Sequence, residues 1–286
     1  MQKILMISVR ADYSGGPEHV YQLARELSCK MEIHFAAPRD KPYWDRYEGL
    51  VGKNRMVEIP HRKCSISAVF KIINYIVKHK INIIHSHGRG AGIYSRILSM
   101  FTSAICIHTF HGVHIPENSI KKIIYILFER FLSIFTNAYI VVSEKERETV
   151  IKQMGIESNF VHTIHNGVKI PEANKLKKQG IDVAHSVFQV VSVSRPDPIK
   201  NPDIIIKIAQ FLRDQGKLDE YRFLIVGEGF DGTEFHKNVE KKILQNYIVF
   251  VGPVTDISKI LNSADGLLNT SKAEGLSLAI LEALAH

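Results

Sequence analysis

An alternation of two patterns constrains this chain most. Short, continuous apolar runs at 3–9, 31–37, 81–85, 104–109, 138–142 and 160–164 alternate with amphipathic stretches at 17–29, 65–79, 90–101, 119–136 and 143–154. Runs so short and so uniformly apolar read as strands buried on both faces, and parallel strands need crossovers of this length between them. The pattern predicts a doubly wound α/β domain. From Lys169 to His185 the sequence turns polar and broken, with Pro171, Asn174, Lys175, Lys177, Lys178 and Gly180. The alternation then restarts, with strands at 187–193, 222–226, 248–251 and 265–269 and helices at 201–216, 232–246, 255–262 and from near 277. The organisation is therefore two Rossmann-like domains, 1–170 and 186–286, joined by a linker at 171–185. A cleft between two such halves is where ligands are expected.

Bulk properties exclude several classes. With 45% hydrophobic and 23% charged residues, the 286-residue chain has the composition of a soluble globular protein. Cys29, Cys64 and Cys106 are scattered and odd in number, which argues for a reducing compartment and against a disulfide or zinc framework. The longest apolar stretch, from Ile120 to Val142, is interrupted by Lys121, Lys122, Glu129 and Arg130, so a transmembrane helix is not expected. The apolar N-terminus is too short for a secretory signal, and a cytoplasmic location follows. The net charge of +8 is compatible with anionic substrates or the inner face of a membrane, and basic residues recur at Arg62, Lys63, Lys71, Lys78, Lys80, Lys121 and Lys122. Such basic runs are most often a solvated face, and the amphipathic 119–136 helix keeps peripheral membrane contact open beside that reading. No nucleic-acid module is present, and no nucleic-acid partner is expected.

Five segments can carry chemistry. The first is Ser14-Gly15-Gly16-Pro17-Glu18-His19, where Gly15 and Gly16 permit a tight turn and close approach to a ligand, although an ordinary strand–helix turn has the same composition. Next comes Thr109-Phe110-His111-Gly112-Val113-His114, which places His111 at a strand end, in reach of a ligand or simply structural. His85 and His87 suggest a metal set with His111, but their separation gives no firm ligand spacing and no metal is expected. In the third, Ser194 to Asn201, Arg195 and Lys200 flank a strand–helix loop and can converge on one diphosphate, if they are not plain surface charge. The fourth, Gly227-Glu228-Gly229-Phe230-Asp231-Gly232, spells G-x-G-x-x-G after a strand; the next strand lacks the acid a dinucleotide ribose requires. The last is Glu274-Gly275-Leu276-Ser277-Leu278, with Glu282 eight positions after Glu274. It reads as strand, loop and helix N-terminus, where backbone N–H groups and the dipole favour an anion. On a plain amphipathic helix the two carboxylates would only be solvated.

Taken in order, the Gly-Gly loop, His111, Asn166-Gly167-Val168, Arg195 and Lys200, the Gly227 turn and the E-x7-E pair resemble the group 1 glycosyltransferases, the retaining family with the GT-B fold. The resemblance spans essentially the whole chain; the stiff Pro196-Asp197-Pro198 is a departure from it. It implies transfer of a sugar from a nucleotide diphosphate-sugar to an acceptor hydroxyl with retained configuration. The acceptor is expected to be a saccharide, and a lipid-linked one in cell-surface polysaccharide synthesis suits the basic first half. Arg195 and Lys200 would steady the departing diphosphate, with N–H groups from Gly275, Leu276, Ser277 and Leu278. Glu274 would hold the sugar hydroxyls, Glu282 the ribose and His111 the transferred sugar. Gly15, Gly16, Gly227 and Glu228 would line the donor side. No cofactor and no metal are implied, since cationic side chains take the metal's place.

Family members continue past this motif, whereas here the sequence ends four residues after Glu282. An incomplete second domain is therefore expected, with exposed edge and apolar surface. Two other classes stay open: a non-catalytic or partner-dependent binding subunit, and a sugar-nucleotide 2-epimerase of the same fold. A dehydrogenase is remote, given the missing acid.

Overall fold

Ile4 and Met6 of the first strand pack with one layer of helices and Leu5 and Ile7 with another, so the strand is covered on both sides. That strand is β1 (Lys3–Ile7), and it lies within a seven-stranded parallel sheet. The others are β2 (Glu32–Ala37), β3 (Met56–Glu58), β4 (Ile83–His87), β5 (Ile105–Thr109), β6 (Ala138–Val141) and β7 (Val161–Thr163). Their order is β3-β2-β1-β4-β5-β6-β7, with every pairing parallel. The protein is seen here as a computed structural model describing residues 1–113, 115–116, 118–171 and 187–286. It divides into two compact units, Met1–Asn166 and Gly167–His286. Past Pro171, the linker expected at 171–185 lies outside the described residues, as does His114.

Helices α1 (Gly15–Leu27) and α2 (Tyr43–Val51) pack with Ile4, Met6, Ile33 and Phe35 on one face of the sheet. Helices α3 (Ile66–His79) and α4 (Arg89–Phe101) pack with Leu5, Ile7 and Ile84 on the other. The sheet end is covered by α5 (Ser119–Ser133) and α6 (Glu144–Lys152), through Tyr125, Val150 and Met154 against Tyr139 and Val141. The second unit repeats the design. Strands β8 (Phe188–Val193), β9 (Tyr221–Val226), β10 (Ile248–Gly252) and β11 (Gly266–Leu267) form a parallel sheet in the order β10-β9-β8-β11. Helices α7 (Asp203–Asp214) and α8 (Glu234–Lys241) bury Ile205, Ile206, Phe235 and Val239 with Phe223 and Ile225. On the other side, α9 (Ser258–Ser263) and α10 (Leu278–Ala285) contribute Leu261 and Ala283 to a cluster with Val191 and Val226.

Two elements escape the sequence pattern. The region 38–64 was expected to hold neither helix nor strand, yet it contains α2 and β3. The α2 sequence mixes three aromatics with charges and shows no clean apolar stripe. It is docked instead by polar and ring contacts. Tyr43 and Arg46 donate to Glu18 Oε2 at 2.5 and 2.7 Å, and Tyr47 stacks on Phe35 at 4.3 Å. Gly15 and Gly16 also differ from the expected tight turn: both lie in the first turn of α1, after the extended cap residue Ser14.

The helix expected at 119–136 is α5, whose N-terminus is capped by Asn118 Oδ1, which accepts from Ile120 N and Lys121 N. Only Tyr125, Glu129 and Leu132 of this helix are buried. Ile120, Ile123, Ile124, Leu127 and Phe131 are each more than half exposed. Beside the inward-packed Tyr125 and Leu132 lies an ion pair in the interior. Arg96 of α4, 0% exposed, meets Glu129, 2% exposed, at 3.1 Å, while its Nε donates to Thr136 and its guanidinium lies over Tyr139. Breaking such a pair leaves one buried charge without its counterion. Glu129→Ala should therefore lose about 3–5 kcal/mol in a urea titration, and Arg96→Met/Glu129→Leu should recover at least half of that.

Candidate functional site

Three loops of the second unit meet at the C-terminal ends of β8, β9 and β11. Strand order reverses between β8 and β11, so the loops after them run in opposite directions and leave a crevice, the usual ligand position in an open α/β sheet. The loop after β8 is stiffened by Asp197. Its Oδ1 accepts from Ile199 N at 3.2 Å and Lys200 N at 2.9 Å, while its Oδ2 lies 3.3 Å from Arg195 Nη2. The Pro-Asp-Pro segment thus folds into a turn that aligns Arg195 and Lys200. Lys272 N donates to Ile199 O and Thr270 Oγ1 to Lys200 O, both at 2.8 Å, which ties this loop to the one after β11. Across the junction, Lys200 Nζ donates to Glu274 Oε1 at 2.5 Å, with both side chains about a quarter exposed.

The remaining pieces of the E-x7-E segment follow. Gly275 and Leu276 form a bend, Ser277 is the extended cap residue, and α10 begins at Leu278. Ser277 makes no side-chain bond to the helix, so its hydroxyl does not occupy the first-turn amides. Leu278 is buried, and Glu282 is half-buried in the next turn. The Gly227 turn has its own physical reason. A Cβ on Gly227 would lie 1.9 Å from the carbonyl oxygen of Ser194, so no side chain fits there. Gly229 and Gly232 take φ of 86° and 69°, and Glu228 is exposed between the glycines. A cavity of about 600 Å³ opens beside these loops, between α7 and α8, lined by Asp197, Asn201, Lys207, Thr233, Lys242 and Lys272 among others. Arg195, Lys200, Glu274 and Glu282 do not line it.

In the first unit, four histidines gather at the C-terminal edge of the sheet, where β1 and β4 mark the reversal of strand order. His85 and His87 alternate with Ser86 on β4 and so share the face that α1 covers; His111 follows β5, and His19 is on α1. The metal trio suggested by sequence was His85, His87 and His111. The close set is instead His19, His87 and His111, each offering a ring nitrogen within 4.8 Å of the others. His85 Nε2 is engaged by Thr109 Oγ1 at 2.7 Å. His19 shares a hydrogen bond with the Asn166 side chain. The loop carrying His111 is fixed by a buried carboxylate: Glu146 of α6 accepts from Gly112 N at 2.7 Å and Val142 N at 3.0 Å. His19 and Glu146 were not singled out as site residues. His19 falls inside the helix expected at 17–29, where nothing in the local pattern marks it as a site residue, whereas the Ser143-x-x-Glu146 capping signature was legible.

Burial keeps these imidazoles neutral. It pushes His85 down to about 3 and, against the Asn166 hydrogen bond, His19 down to about 4; His87 and His111 are held well below the usual range by burial and by neighbouring histidines, His19 and His85 among them. In the unfolded chain the same rings would titrate near 6.5. Below that pH the unfolded state binds protons that the folded state refuses. Stability from this cluster is therefore complete above pH 6.5 and lost progressively as pH falls toward 4. Urea midpoints at pH 7.5, 6 and 4.5 should fall in that order, and a His85→Gln variant should flatten the decline.

Comparison with known proteins gives a consistent result. Residues 13–171, more than half of the chain, match the family described as Glycosyltransferase Family 4, and residues 187–286 match Glycosyl transferases group 1. A UDP-Gal:alpha-D-GlcNAc-diphosphoundecaprenol alpha-1,3-galactosyltransferase of Escherichia coli is 28% identical over 77% of this chain, which spans 58% of that enzyme's length. A poly(ribitol-phosphate) alpha-N-acetylglucosaminyltransferase of Staphylococcus aureus is 31% identical over 52% of this chain and 28% of its own length. Among solved structures, Anabaena HepE in complex with UDP and glucose superposes with a TM-score of 0.79 at 19% identity, over 100% of this chain and 78% of that one.

Proposed function

The chain belongs to the group 1 glycosyltransferases of family 4, and from that membership we propose that it moves a sugar from a nucleotide diphosphate-sugar to an acceptor hydroxyl. The observation that carries the proposal is the convergence of Arg195, Lys200, Glu274 and the start of α10 at the reversal point of the second sheet. Cleavage of the bond between sugar and phosphate builds negative charge on the departing diphosphate. Arg195, Lys200 and the first-turn amides of α10 would meet that charge, each such donor contributing up to a few kcal/mol. The reaction in this form needs no divalent ion at the diphosphate. Glu274 would accept from sugar hydroxyls, Glu282 from the ribose, and His111 would orient the transferred sugar. Gly227 and Glu228 would border the nucleotide, and Gly15 and Gly16 are proposed as further donor-binding residues, at the start of α1. The leaving phosphate would take the acceptor's proton on the same face, which retains the anomeric configuration and is checked by the anomer first formed.

Lys200 and Glu274 satisfy one another. A partly exposed pair of this kind contributes at most about 1 kcal/mol. A diphosphate can therefore displace the carboxylate from Lys200, and the freed Glu274 becomes available to hydroxyls. Calorimetric titration with UDP, GDP and ADP should find one nucleotide that binds. Lys200→Ala and Glu282→Ala should each weaken it about 10- to 100-fold, the loss of one charge-assisted hydrogen bond. Equal binding by wild type and both variants, or no binding by the folded chain, would reject this assignment.

A lipid-linked saccharide is the proposed acceptor. Support comes from α5, where Ile120, Ile123, Ile124, Leu127 and Phe131 are exposed beside Lys121 and Lys122. A helix with that face lies in a membrane interface, apolar side down, with its lysines on anionic headgroups. Among the described residues no helix is long and apolar enough to cross a membrane. In flotation with vesicles containing phosphatidylglycerol, the chain should float at low salt and Leu127→Glu/Phe131→Glu should remain at the bottom. A wild-type chain that stays in the pellet fraction would argue against membrane contact.

A further inference from the structure

We infer that His19, His87 and His111 form a binding site for one late first-row divalent ion of the zinc type, in the first unit, an ion that would occupy His111 in place of the transferred sugar proposed above. One nitrogen from each ring lies within 4.8 Å of one from each of the others. On one edge, His87 Nδ1 and His111 Nε2 stand 3.3 Å apart. Ligands about 2.0–2.1 Å from a tetrahedral zinc ion stand roughly 3.3–3.4 Å apart, so this edge already has the required length. The widest edge needs a closure of about 1.5 Å, within the reach of the side-chain torsions of His19 on α1.

The donor set selects the ion. Three imidazole nitrogens suit zinc, cobalt, nickel or copper, whereas magnesium and calcium demand oxygen ligands. His87 is fixed by its place on β4 opposite Thr109, His19 by Asn166 and the His111 loop by Glu146. These are the outer contacts that keep metal-binding rings oriented. His87 also has a buried Nε2 with no hydrogen-bond partner, so the ring is not placed there to complete a polar network. His19 and His111 are only partly buried, which gives an ion a way in. The simpler alternative is a ring-to-ring hydrogen bond between His87 and His111, and the two make opposite predictions for added metal.

The deciding experiment titrates Co²⁺ alone into the EDTA-treated, dialysed full-length chain and records its visible spectrum. The expected result is saturation at one equivalent, with the intense bands of four-coordinate cobalt, and displacement by one equivalent of Zn²⁺. His19→Ala and His111→Ala should each weaken cobalt binding by at least about tenfold, while His236→Ala on α8 binds like wild type. A weak six-coordinate spectrum, or equal binding by wild type and His19→Ala, would overturn the inference. His19 lies on α1 and is only partly buried, so its variant, with helicity checked by circular dichroism, decides the matter even where His111→Ala does not fold.

Discussion

Parallel strands cannot be joined by tight turns, and the rest of the molecule follows from that restriction. Each strand must be followed by a crossover that returns the chain to the same starting edge. All loops leaving the strands therefore emerge at one edge, and where the winding direction changes, neighbouring loops part. Both sheets reverse after their first strand, at β1/β4 and at β8/β11. The histidine cluster sits at one reversal and the Lys200–Glu274 pair at the other. Neither was built by bringing distant pieces together for that purpose; the winding delivers them.

Most of this architecture was legible because burial on both faces leaves a strong mark. Uniformly apolar strands such as Ile4 to Ile7, set between amphipathic helices, admit few alternatives. The exceptions are instructive. Helix α2 is held by Glu18, Arg46 and stacked aromatics rather than by an apolar stripe, so periodicity did not reveal it. Gly15 and Gly16 looked like a turn, yet a helix tolerates glycine in its first turn when tertiary packing supplies the stability. The Arg96–Glu129 pair was invisible for another reason: the two residues look like ordinary surface charge until α4 and α5 are placed side by side.

The candidate site was legible to a different degree. Lys200 and Glu274 are 74 positions apart, and nothing in local sequence says they touch. The order of motifs along the chain put them in one expected site but did not pair them, and the geometry supplies the mechanical reason for the pairing: Asp197 organises one loop, and Thr270 and Lys272 bind the other to it. The three glycines from Gly227 have a similar explanation. Their spacing suggested a nucleotide fingerprint, but contact with the Ser194 carbonyl and two left-handed backbones already require them. The histidines show the limit of the method. His87 and His111 were visible at strand ends, whereas His19 joins them only because α1 crosses the face of β4.

Glu146 carries a further consequence. In an ordinary capping box the acidic residue of the first turn reaches back to the cap residue's own amide. Here Ser143 accepts from Glu146 N, but the carboxylate reaches past it to Val142 N and to Gly112 N, on another loop. One side chain therefore closes the start of α6 and the segment that carries His111. Fraying of that helix and release of that segment become a single event, so the amides of Gly112 and Val142 share one rate of exchange with solvent hydrogen.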